Sequence, residues 1–270
     1  MRPFELLLDS YQAASQGWLG YSIEAGLEVF RRLAALELIV FGFLVALKSR
    51  GGVAAVIPDL TWKLFLIALF LTGLLVYPIW LPEIAPSFTE LAGHITGFST
   101  LNPAVVIQQG IALALAIVAS GFAAGWMGPS FAGAVWVLLS AIGVLAFYIA
   151  IAAILTRTLI ESWIVLATGP FFLGFAPFRL TAQLADNFIV YAFQVGIRLF
   201  FLIVLMSVAK GAAIEWVREI ATHPLTSYGL LLEVLAGAAL LAVVLWTVPS
   251  KIADVLTRGW QLGLRQGLSD

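Results

Sequence analysis

The stretch "LATGPFFLGFAPFR", residues 166–179, puts two glycines and two prolines into fourteen residues of an otherwise apolar chain. A helix in a water-soluble core seldom carries so many breakers, because proline removes a backbone donor and its ring clashes with the preceding turn. In a bilayer they are tolerable, since neighbouring helices and water re-satisfy the freed groups. The surrounding solvent therefore decides the fold, and composition identifies it. The 270 residues are 62% hydrophobic and 11% charged, with a mean hydropathy of +1.04, whereas globular domains carry about 25% charged residues. Several apolar runs approach or exceed the roughly 20 residues that cross a bilayer. The expected fold class is all-α: a polytopic transmembrane helical bundle of about six or seven spans with amphipathic interfacial helices at both ends. Residues 166–179 read as a kinked or broken span, with Gly169, Pro170, Gly174 and Pro177 as its breakers.

Net charge is −1 and the pI is near 6.1, so no strongly basic field supports nucleic-acid binding by this chain alone; any handling of DNA needs partners. Cysteine is absent, which removes disulfides, thiolate chemistry and cysteine-based metal sites. Glu5 and Asp9 fall where a signal peptide has its apolar stretch, so no cleavable signal is expected.

The chain reads as one membrane domain: an interfacial segment at 1–26, a bundle at 27–248 and a cytoplasmic amphipathic tail at 249–270. Within the bundle, expected spans fall at 33–47, 62–81, 104–126 and 131–156, then through the 166–179 stretch, and at 187–209 and 229–248. Lys63 is close enough to its span end to reach the headgroups. "SFTE", Ser87 to Glu90, has capping-box spacing and predicts a short surface helix. Asn102 followed by Pro103 reads as a helix cap and a first-turn proline. Gly121 and Gly125 form a small-xxx-small pattern suited to close helix packing. In the tail, Ile252, Val255, Leu256 and Trp260 share one side, and Lys251, Asp254, Arg258 and Arg265 the other, predicting a helix on the membrane surface. The Lys/Arg distribution favours an external (periplasmic) amino terminus and a cytoplasmic carboxyl terminus.

Catalytic patterns are absent. His94 and His223 lie in different polar segments and outside any H-E-x-x-H arrangement. Gly128 and Gly133 have the spacing of a phosphate-binding loop, but Ala134 and Val135 stand where Lys and Ser/Thr are required. Ser130 after Gly-Pro reads as a helix cap rather than a nucleophile. No cofactor and no metal site is expected, and the chain reads as a non-enzyme.

Polar groups inside spans carry more information, because each costs several kcal/mol in lipid unless it meets protein or water. Asn187, Tyr191, Gln194 and Arg198 recur at steps of four, three and four, making one polar stripe on the sixth expected span. It serves either as an inward packing face or as a wall of a hydrated passage. At 1.5 Å per residue, Arg198 and Glu37 lie at similar depths, roughly 16 and 14 Å from the outer ends of their spans, which suggests a Glu37 to Arg198 ion pair. Arg157, one turn before Glu161, is the expected local partner of that carboxylate.

Two segments resemble a known family. "GPFFLGFAPFRLTAQLADNFIVYAF" is similar to the Gly-Pro, Phe, basic residue and Thr segment of the TrbL-type conjugal transfer family, and "VPSKIADVLTRG" resembles that family's Pro, Ile-Ala and Gly ending. The resemblance covers about residues 130 to 260 and marks Gly169, Pro170, Phe175, Arg179, Thr181, Pro249, Ile252, Ala253 and Gly259 as architectural positions. It implies a polytopic inner-membrane subunit of a bacterial type IV secretion system, a machine that moves DNA or protein effectors. It further implies homo-oligomers, contact with membrane lipid, and partner subunits such as ATPases, pilin and periplasmic channel proteins, with ATP hydrolysis supplied by them. Many relatives continue into a long polar cytoplasmic tail, whereas this sequence stops at Asp270, so no role of that tail carries over. The expected function is a non-enzymatic part of the membrane platform or translocation channel; the alternative is a small-solute transporter or channel.

Overall fold

The computed structural model describes residues 2–48, 56–80, 84–97, 102–125, 131–222 and 228–266. Among them there is no strand, and seven helices follow in order: α1 (Arg2–Lys48), α2 (Ile57–Trp80), α3 (Ile84–Thr96), α4 (Pro103–Ala123), α5 (Phe131–Leu173), α6 (Ala182–Thr222) and α7 (Tyr228–Gln266). Five are long and apolar enough to cross a membrane, over Ile57–Ile79, Pro103–Ala123, Ala132–Leu173, Ala182–Thr222 and Gly229–Arg258. The chain is an all-α polytopic membrane bundle.

The helices are fewer and longer than the hydropathy pattern suggests. Two expected spans, at 131–156 and through 166–173, form the single 43-residue helix α5, about 64 Å long at 1.5 Å per residue. The polar interruption at 156–161 contains neither Gly nor Pro. Its threonines are satisfied locally: the Thr156 and Thr158 hydroxyls donate to the carbonyls of Ala152 and Ile154. Likewise α1 is continuous across residue 26, and α7 runs through Pro249 into the tail.

Where helices do stop, local chemistry stops them. The Asn102 side chain accepts from the Ala104 N–H at 2.9 Å, and Pro103 occupies the first turn of α4. That helix ends at Gly125, whose φ of +74° is a left-handed conformation suited to glycine. Gly125 is therefore a terminator and not the packing residue its spacing suggests, with open space where a Cβ would go. α3 ends at Gly97, φ +66°, whose N–H returns to the Gly93 carbonyl at 2.7 Å. This helix begins three residues before Ser87, so "SFTE" lies inside it rather than at its cap.

The chain divides into two compact units. One gathers Met1–Leu8, Ser87–Leu159 and Ile197–Val255. Its core holds Leu113 and Ile117 of α4, Val144 and Ile151 of α5, Leu202 of α6 and Ala238 of α7. Glycines let its helices approach closely: a Cβ on Gly110 would lie 2.5 Å from the Tyr148 Cβ, and one on Gly121 2.8 Å from a Val137 methyl. The other unit gathers Asp9–Pro86, Ile160–Gly196 and Leu256–Asp270. Its core is Phe30 of α1, Leu74 and Tyr77 of α2, Val165 and Leu173 of α5, and Phe188 and Val195 of α6.

Replacing Gly110 by Leu overpacks the α4–α5 contact. The thermal midpoint in detergent, read by circular dichroism, should fall by an amount equivalent to about 1–3 kcal/mol. Gly42→Ala, at a helical position with nothing within 4 Å of the new Cβ, should leave it unchanged or slightly raised.

Candidate functional site: a buried carboxylate and the turn it supports

The quoted stretch proves to be a helix end and a turn rather than a broken span. α5 stops at Leu173, residues 174–181 are turns, and α6 starts at Ala182. Pro170 lies in the last helical turn and Pro177 is buried within the connection. The freed backbone groups are taken up within the turn. Gly174 N–H reaches the Pro170 carbonyl at 3.1 Å, Phe175 N–H that of Phe172 at 3.2 Å, and Ala176 N–H that of Leu173 at 3.1 Å. The Thr181 hydroxyl contacts the carbonyls of Phe175 at 2.9 Å and Phe178 at 3.2 Å, while its own carbonyl accepts from Leu184 N–H. Thr181 thus closes the turn and opens α6. Aromatic packing adds to it: Phe171 meets Phe175 edge-on at 5.3 Å, and Phe172 stacks on Phe188 at 5.5 Å.

Two helices of the same unit hold this turn. Gly26 of α1 is buried beneath it: a Cβ there would overlap the Pro170 carbonyl, and a Cβ on Gly174 would sit 2.6 Å from the Gly26 carbonyl oxygen. Eleven residues further along α1, Glu37 is 1% exposed. Its Oε1 accepts from Lys63 Nζ of α2 at 2.5 Å, and its Oε2 from the Arg179 backbone N–H at 3.4 Å. Lys63 also lies over the Phe41 ring, 4.3 Å from its centroid, where the ring quadrupole attracts a cation. Near the other end of α2, the Tyr77 hydroxyl donates to the Leu166 carbonyl at 2.7 Å, and Gly169 leaves room for that hydroxyl, since a Cβ there would collide with it.

These contacts replace the pairing deduced from depth. The Glu37 carboxylate is engaged by Lys63, while Arg198 faces Asp254 of α7 at 3.9 Å. Depth matching assumed helix ends near residues 28 and 209, whereas α1 starts at Arg2 and α6 runs to Thr222. Lys63, expected to reach for the headgroups, turns inward instead. Glu161, for which Arg157 was the expected partner, accepts from the Tyr191 hydroxyl; Arg157 is exposed on α5.

The α6 stripe is divided among neighbours. Tyr191 goes to Glu161 of α5, Gln194 donates to the Thr257 hydroxyl of α7 at 2.6 Å, and Arg198 faces Asp254. Asn187 is exposed. On α7 the wheel assignment also shifts: Ala253 and Thr257 are buried, Ile252 is half-buried, and Val255 and Leu256 are 69% and 53% exposed. Pro249 and Gly259 lie within the helix. Gly26, Lys63 and Tyr77 are the residues that pattern reading missed. For Lys63 a signal was present: Glu37 and Lys63 are lone opposite charges inside consecutive apolar runs.

Among the described residues, no group of three or more His, Cys, Asp or Glu side chains is placed to hold a metal ion. His94 is exposed on α3, and Gly133 is part of α5; His223, Gly128 and Ser130 lie outside the described residues. What the Glu37 arrangement does chemically is neutralise a buried charge while fastening two helices to a turn.

Gly26→Ala should push α1 off the turn and lower the thermal midpoint, whereas Gly20→Ala, in open space, should not. Tyr77→Phe, which removes only the hydroxyl, should cost about 1 kcal/mol by the same measurement.

No curated protein matches the chain. A family model does: that of the TrbL/VirB6 plasmid conjugal transfer protein, over residues 34–248. That match takes in α2 to α6 whole, the Glu37–Lys63 pair, the α5–α6 turn and most of the apolar part of α7. With its multiple membrane-long helices, the chain belongs to the TrbL/VirB6 family of conjugal transfer proteins, bacterial multi-pass membrane components related to type IV secretion.

Proposed function

We propose that the chain is a non-enzymatic structural subunit of the platform that a type IV secretion or conjugation machine builds in the bacterial inner membrane. One observation carries the choice of platform over conduit wall. Three of the four polar side chains on the α6 stripe engage groups on α5 or α7, Gln194 and Arg198 from half-buried positions and Tyr191 at 38% exposure, which supports a packing face. A wall of a hydrated passage would instead leave such groups turned to water. The apolar side chains that remain outward, among them Leu115 of α4 and Ile142 of α5 at 63% each, suit lipid and neighbouring subunits. The partners are further copies of the chain, the secretion ATPases that supply the driving energy, pilin and periplasmic channel proteins, and the cargo is DNA or protein. An odd number of crossings, which the five candidate spans among the described residues support, has the termini on opposite sides; on the Lys/Arg bias we assign the tail with Lys251, Arg258 and Arg265 to the cytoplasm and the amino terminus to the periplasm.

The test is affinity purification from the native host in mild detergent, together with a donor-to-recipient transfer assay on Gln194→Leu and Arg198→Met variants. Secretion subunits should co-purify. Transfer should fall only in proportion to the amount of folded variant in the membrane. Transfer abolished at normal abundance and normal partner recovery would make the stripe a conduit. Recovery of the protein alone, with solute uptake into liposomes that Arg198→Met abolishes, would make it a transporter.

A further inference from the structure

α3 is too short to cross a bilayer. Its 13 residues span about 20 Å, against a hydrocarbon core of about 30 Å. It is nevertheless tethered at both ends by membrane-long helices, with α2 ending at Trp80 and α4 starting at Pro103. Its surface falls into three sectors. Ala92 is fully buried and Phe88 half-buried, so that side faces protein. Leu91 and Ile95, one turn apart, are 53% and 64% exposed. Next round the helix come Glu90 and His94, also one turn apart and also exposed.

A helix with an apolar flank between a protein-facing side and a polar side fits the boundary between acyl chains and headgroups. We propose that α3 lies in the plane of the membrane interface, with Leu91 and Ile95 seated in lipid and Glu90 and His94 among the headgroups and water. The occupant of the apolar flank is lipid, because the helices on either side of α3 in the chain already hold it at the bilayer, and Val105 at the start of α4 is likewise an exposed apolar residue, at 39%. Charge specifies the lipid further. Residues 81–102 contain Glu83 and Glu90 and no Lys or Arg, so nothing here attracts anionic headgroups. The seat is apolar, insensitive to salt, and formed equally well on phosphatidylcholine.

The chain contains no cysteine, so single substitutions give unique labelling sites in it. Glu90→Cys, Leu91→Cys, His94→Cys and Ile95→Cys are each spin-labelled, reconstituted into phosphatidylcholine vesicles, and tested for collision with oxygen and with a water-soluble nickel chelate. All four side chains are exposed, so the label displaces no core residue. Oxygen should dominate severalfold at positions 91 and 95 and the chelate at 90 and 94, unchanged by added salt. Chelate dominance at all four positions would put α3 in water and overturn the proposal. Shielding of 91 and 95 from both reagents would overturn it in favour of a protein partner.

Discussion

A carboxylate buried within the apolar run 33–47 of α1 is the constraint around which α1, α2 and the α5–α6 turn are organised. Moving an ion of that size from water into a low-dielectric interior costs several kcal/mol even after relaxation, and only a close counter-charge with further hydrogen bonds offsets it. Glu37 obtains both: Lys63 on one oxygen and the Arg179 N–H on the other. Lys63 is accommodated in turn by the Phe41 ring one helical turn from Glu37. Each helix therefore carries a charge that is costly alone and tolerable with its neighbour. The pair selects α2 as the partner of α1 and fixes which face of each helix turns inward, a selection that apolar contact with lipid-like side chains does not provide.

The turn explains why breakers gather where they do. Glycine at 26, 169 and 174 removes side-chain bulk where the backbone of α1 and the Tyr77 hydroxyl approach the end of α5, and the Thr181 hydroxyl donates to the Phe175 carbonyl, whose i+4 N–H, that of Arg179, is given to Glu37 instead. Five of the nine residues marked by the family resemblance, Gly169, Pro170, Phe175, Arg179 and Thr181, lie in this one feature. Arg179 takes part through its backbone N–H, so the turn needs its position more than its charge.

The solvent and the helical class were legible from composition, because no arrangement of 11% charged residues coats a water-soluble domain of this size. The α4 cap was legible from Asn102 and Pro103, a strictly local signal. Helix ends elsewhere were not: hydropathy drops at Arg157 and Glu161, yet nothing there breaks a helix, so α5 continues. A hydropathy minimum marks polarity, and only Gly, Pro or a cap marks an end. Partners of charged groups were the least legible, since they depend on which helices pack. The Glu37 to Arg198 expectation relied on depths from span ends that do not exist, whereas the two lone charges of neighbouring runs, Glu37 and Lys63, held the better clue.

The central claim is that Glu37 and Lys63 act as one unit, and a double-mutant cycle tests it most directly: Glu37→Met, Lys63→Met and both together, each read by thermal midpoint in detergent. Each single variant should lose about 3 kcal/mol or more by stranding a buried charge, and the double variant should return close to the wild type, because an apolar pair of similar volume replaces a buried ion pair at little cost. Losses that simply add, or single variants as stable as the wild type, would contradict the account.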